Sequence, residues 1–90
     1  MAETAEARLK RMRMRSWRRG TKEMDIVLGP WADARLDGLG PAALDLYDRL
    51  LEENDQDLMA WLLGTDTPPG WIAPLLDEIA DFARGRMAPR

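Results

Sequence analysis

The apolar residues of this chain recur at helical spacing, and glycine and proline interrupt them at intervals. Met24, Val27, Leu28 and Trp31 form one stripe, and Leu44, Tyr47, Leu50 and Leu51 form another. Leu58, Trp61 and Leu62 share a third face, and Leu75, Ile79 and Phe82 a fourth, with Leu76 and Ala83 beside it. No segment alternates with the period of two that a half-buried strand requires. The expected fold is therefore all-α, a small single-domain bundle of about five helices. Ninety residues leave room for one core, so residues 1–90 are read as one domain. Its core is placed at about 4–84, with a frayed tail at 85–90.

The breaks divide the chain. Thr4 can cap a first helix, in which Ala5, Leu9 and Met12 share an arc continued by Ser16 and flanked by Trp17. Gly20 is expected to end it, with Arg18 and Arg19 in the last turn, at the negative end of the dipole. Thr21 is the expected N-cap of a second helix, with Glu23 and Asp25 in its first turn. Gly29-Pro30 should kink that helix, which resumes to about Leu36 before Gly38-Leu39-Gly40-Pro41 stops it. Pro41 suits the first position of a third helix, and Asp55 the N-cap of a short fourth that Gly64 ends. Pro74 falls in the first turn of a fifth. Trp31 and Trp61 lie on stripes and read as core; Trp17 and Trp71 lie near element ends and are open to surface contact.

Composition limits the chemistry. The chain has no cysteine and no histidine. Thiol nucleophiles, disulfides and thiolate metal sites are excluded, as are the commonest general base and the commonest metal ligand. Catalysis would have to rest on carboxylates, Lys, Arg or Tyr47, which argues against an enzyme. Glu52, Glu53, Asp55 and Asp57 lack the glycine and ligand spacing of a calcium loop and read as capping and solvated groups, so no metal site is expected. No apolar run reaches the ~20 residues of a membrane span. No apolar block follows the first basic residues, and Glu3 and Glu6 count against a mitochondrial presequence. The expected compartment is the cytoplasm.

Charge is divided along the chain. Residues 1–23 hold eight Lys/Arg against three Glu, a net of +5, whereas residues 24–90 hold five Arg against thirteen Asp/Glu, a net of −8. Such a division suits an oriented partner surface, and it equally suits a basic helix packed against its own acidic neighbours. A nucleic-acid-binding module using the basic N-terminal helix is the alternative function, although the chain as a whole is acidic. An acid–base role for Glu23 is disfavoured by the cations around it, which hold a carboxylate ionised.

The segment around Gly20 combines features that a core does not need. A glycine lets a partner's backbone approach closely, the Arg19 fork suits a carboxylate or carbonyl, and Glu23 projects toward the same corner one turn into the next helix. The run Arg15-Ser16-Trp17-Arg18-Arg19-Gly20-Thr21-Lys22-Glu23-Met24-Asp25 resembles the Arg-Gly-x-x-Glu signature of the succinate dehydrogenase flavinylation factors, the FAD assembly factors of the SdhE family. The resemblance continues through Ile26-Val27-Leu28-Gly29, Tyr47-Asp48-Arg49-Leu50-Leu51, Asp55-Gln56-Asp57-Leu58 and Trp61 to Gly64. Met24 and Trp31 stand where leucine and phenylalanine are usual.

The resemblance implies a five-helix assembly factor that binds the flavoprotein subunit of succinate dehydrogenase, and of fumarate reductase as a second client. It would promote covalent attachment of FAD to a histidine of that subunit. It implies a chaperone with no cofactor of its own, monomeric when free and binding no nucleic acid. By the same carry-over, Arg19, Gly20 and Glu23 form the partner-binding patch, supported by Asp25 and flanked by Arg15, Trp17 and Arg18.

Overall fold

A computed structural model describes residues 2–87. Among them run five α-helices and no strand: α1 (Ala5–Trp17), α2 (Lys22–Arg35), α3 (Pro41–Leu50), α4 (Asp55–Leu63) and α5 (Ala73–Met87), with a 3₁₀ turn at Leu36–Gly38. The fold is all-α, as the stripes require.

Capping explains most of the boundaries. The Thr4 hydroxyl accepts from the Ala7 N–H, and the Thr21 hydroxyl from the Met24 N–H at 3.3 Å. Pro41 occupies the first turn of α3. Gly64 closes α4 in the left-handed conformation, φ +77°. The N-cap of α4 is Asn54, not Asp55: its side-chain oxygen accepts from the Asp57 N–H at 2.8 Å and its amide donates to the Asp57 carboxylate. Asp55 is thereby released for another role. Helix α5 extends through Gly85 to Met87, past the start of the expected frayed tail; residues 88–90 lie outside the described residues.

One expectation about the helix ends is corrected. Helix α1 ends at Trp17, so Arg18 and Arg19 lie in the connection to α2 and not in a last helical turn. Helix α2 runs unbroken through Gly29-Pro30. Proline removes one hydrogen bond there, but tertiary packing holds the helix on both sides. Leu28, Gly29, Trp31 and Ala32 are all buried, and the Trp17 indole lies so close to Gly29 that a Cβ there would overlap the ring.

The core gathers Met12, Met24, Leu28, Trp31, Tyr47, Leu50, Leu58, Ile72 and Ile79, each no more than 1% exposed. The Trp31 and Tyr47 rings meet at 4.7 Å between centroids. Trp61 and Trp71 are half-buried against this cluster, and the Arg49 guanidinium stacks on Trp71 at 3.9 Å. The Trp31 indole N–H is buried there without a hydrogen-bond partner among the described residues, whereas the Ser16 and Tyr47 hydroxyls satisfy each other. Ser16 Oγ donates to the Met12 carbonyl at 2.8 Å, so the Tyr47 hydroxyl donates to Ser16 Oγ, 2.6 Å away. Burial pushes the Tyr47 phenol up to about 12, against the opposing influence of the Ser16 hydrogen bond.

Four of the five cations of the basic helix pair with carboxylates of the same chain; no pair is seen for Lys10 among the described residues. Arg8 pairs with Asp45 and Asp48, Arg11 with Glu3 and Asp48, Arg13 with Asp33 and Asp37, and Arg15 with Glu52. Hydrogen bonds from Arg11 hold the Asp48 carboxyl below its ordinary value. The division of charge between the two parts of the sequence is thus largely spent on joining α1 to α3 and to the end of α2.

Candidate functional site

The α1–α2 connection is held by a buried ion pair. Arg19 Nε donates to Asp55 Oδ1 at 2.9 Å, Nη1 to the Leu51 carbonyl at 2.7 Å and Nη2 to the Glu53 carbonyl at 2.6 Å. The Arg19 side chain is only 7% exposed and that of Asp55 13%. The guanidinium therefore satisfies carbonyls left open where α3 ends, and ties the α1–α2 corner to the start of α4. The Arg19 backbone N–H donates to Asp25 Oδ1 at 2.6 Å, so the first turn of α2 grips the same residue.

This geometry corrects the expectation for Arg19. Its fork is not displayed to a partner, because three acceptors of the same chain already occupy it. Arg15 is also engaged internally, with Glu52 at 2.7 Å and the Leu51 carbonyl at 3.0 Å. Asp25 is half-buried and its carboxylate accepts from the Arg19 backbone N–H.

Arg18, Gly20, Thr21, Lys22 and Glu23 remain exposed. Gly20 sits at φ +107°, a conformation side-chain-bearing residues rarely adopt, so glycine is required by the backbone as well as by any close approach. Trp17 is 40% exposed and its indole N–H donates to Asp33 at 3.2 Å. The structure therefore brings Arg19, Gly20, Glu23 and Asp25 to one corner, with Gly20 and Glu23 outward and Arg19 and Asp25 behind them.

Beside this corner a groove of about 460 Å³ runs between the start of α2 and α4, lined by Thr21, Glu23, Asp55, Gln56, Met59, Ala60, Leu63 and Thr65. Sequence reasoning singled out neither this groove nor the Arg19–Asp55 pair. Asp55 offered a signal, since it opens the Asp55-Gln56-Asp57-Leu58 block of the resemblance, but its capping reading concealed its bond to an arginine 36 residues away. Among the described residues no cluster of acidic side chains is arranged to hold a metal ion, and no helix is long and apolar enough to cross a membrane.

Residues 10–83 match the protein family described as flavinator of succinate dehydrogenase. The chain belongs to this family. Its relatives include the FAD assembly factor SdhE of Legionella pneumophila, 41% identical over 67 residues, covering 74% of this chain and 80% of that protein. The SdhE of Shewanella oneidensis is 36% identical over 72 residues, covering 80% and 84%. The mitochondrial succinate dehydrogenase assembly factor 2 of Schizosaccharomyces pombe is 31% identical over 86 residues, covering 93% of this chain and 62% of that protein. Against the mitochondrial relatives the chain spans 20% to 62% of their length. The flavinator match takes in all of α2, α3 and α4 and the whole Arg19–Asp55 clamp.

Proposed function

We propose that this chain is a non-catalytic assembly factor that docks on the flavoprotein subunit of succinate dehydrogenase and promotes covalent attachment of FAD to it. The observation that carries this reading is the flavinator family match across residues 10–83, within which the Gly20–Glu23 corner is left exposed. The absence of His and Cys fits a factor whose client supplies both the nucleophile and the flavin.

Gly20 lets the client's main chain come close, and the Glu23 carboxylate accepts a charge-assisted hydrogen bond from it. Arg19 and Asp25 act by positioning: they hold the connection in the one conformation that turns Gly20 and Glu23 outward. Docking selects a client conformation in which its histidine and the flavin are in reacting geometry. The factor then dissociates as a monomer. Fumarate reductase is a second client of the same chemistry, and a bacterial cytoplasm is the compartment. Residues 1–90 act as one domain in this scheme.

The nucleic-acid alternative has lost its main support, since Arg8, Arg11, Arg13, Arg15 and Arg19 all pair with carboxylates of the chain. The functional reading is tested by mixing the apo flavoprotein subunit with FAD, with and without this protein, and measuring flavin fluorescence on a denaturing gel. The parent protein should raise the covalent yield, and Glu23→Gln should lower it several-fold while costing no more stability than the ~0.3–1 kcal/mol of a first-turn charge. A yield indifferent to the parent protein rejects the function; a yield indifferent to Glu23→Gln rejects the corner.

A further inference from the structure

Helix α4 is too apolar for the cover it receives. Residues 58–63 are Leu, Met, Ala, Trp, Leu and Leu without interruption; Leu58 lies in the core and Met59, Trp61 and Leu62 pack against it half-buried, but Leu63 does not. Leu58 is fully buried, while Leu63 at 69% is the most exposed large apolar side chain described. A surface helix normally confines its apolar residues to the covered stripe. Here Met59, Ala60 and Leu63, at spacings of one and three, line the outward groove of about 460 Å³. A second hollow of about 290 Å³ shares Met59 and Leu63 and carries the apolar surface on toward Val27. Volumes of this size accept a large side chain and its neighbours.

The charges at the groove have one sign. Its two ionisable lining residues are Glu23 and Asp55. Asp55 is already paired with Arg19, whereas Glu23 is exposed and makes no ion pair among the described residues. An apolar trough with an unpaired carboxylate at one end fits a segment bearing a large apolar side chain next to a lysine or arginine.

We propose that this groove is the specificity pocket of the docking surface: it takes an apolar side chain of the client flavoprotein, while a cation adjacent in the same segment pairs with Glu23. The proposal rests on the functional reading above and deepens it. Leu63 and Met59 supply the desolvated anchor that carries affinity, and Glu23 fixes the orientation of the segment.

Leu63 tests the idea cleanly, because a side chain so exposed can be made polar without opening the core. Binding of the full-length protein to the apo flavoprotein subunit of succinate dehydrogenase is measured by calorimetry at low and moderate salt, with urea midpoints in parallel. Leu63→Lys and Leu63→Asp should each weaken binding about tenfold or more at an unchanged midpoint. Glu78→Gln, which makes the same charge change as Leu63→Lys at an exposed position outside the groove, should bind like the parent. Glu23→Gln should flatten the salt dependence. Parental affinity in both Leu63 variants overturns the apolar pocket, and an undiminished salt dependence in Glu23→Gln overturns the cation. A parent that self-associates until Leu63→Lys is introduced makes a second copy the occupant and also overturns the proposal. A parent that does not bind the flavoprotein at all rejects the functional reading itself, a result distinct from each of these.

Discussion

Replacing Arg19 with methionine separates a residue that touches the client from one that builds the surface. Methionine keeps the aliphatic stem and removes the guanidinium, so packing changes little and the loss is electrostatic. Three hydrogen bonds disappear, at 2.9, 2.7 and 2.6 Å, and a carboxylate only 13% exposed loses its cation. Breaking a buried pair by removing one partner costs about 3–5 kcal/mol. Asp55 is close enough to the surface to regain some water, which favours the lower end, about 3 kcal/mol. Against a total of roughly 5–10 kcal/mol for a domain of this size, that is a large fraction. With a urea slope of about 1.5 kcal/mol per molar, the midpoint should fall by about 2 M, read by tryptophan fluorescence and circular dichroism. Asp55→Asn should cost less, about 2 kcal/mol, since the amide can still accept one hydrogen bond. The double variant should cost well under the sum, because the two act on one interaction. An Arg19→Met protein with a parental midpoint that fails to bind the flavoprotein would refute the positioning role and restore Arg19 to the docking face.

Two further outcomes follow from the packing around α1. Gly29→Ala should destabilise by about 1–3 kcal/mol and raise the accessibility of Trp17 to a soluble quencher, because the added methyl displaces the indole from α2; parental quenching would count against this contact. Tyr47 is the only tyrosine, so absorbance at alkaline pH reports it alone. Its phenol should titrate near 12 in the folded protein, above its ordinary value of 10.0, so its contribution to stability is complete below pH 10 and is lost as pH rises through 12. A folded-state midpoint at the ordinary value would contradict the buried Ser16–Tyr47 pair.

The α1–α2 connection illustrates how far sequence reasoning reaches. Its place, the need for glycine at position 20, the Thr21 cap and the first-turn acids of α2 were all legible, because each depends on neighbours within a few residues. Helix α2 continues through Gly29-Pro30, where contact with Trp17, twelve positions earlier, and burial of the following turn hold it. Asp55 was misassigned as a cap because Asn54, its neighbour, is equally suited to that role and only the backbone path selects between them.

What the sequence determined alone was the set of helices, the order of their breaks and the corner where backbone freedom and charge coincide. Helical periodicity and capping are short-range, so a linear reading can recover them. Only the tertiary structure decided which charges face inward. An arginine side chain reaches several ångströms in any of many rotamers, and its choice is made by acceptors that folding brings near. For Arg19 those acceptors lie 32 to 36 residues away, at the junction of α3 and α4. The same folding buries Leu58, half-buries Met59 at the edge of the groove and leaves Leu63 exposed, with Glu23 lining the same groove.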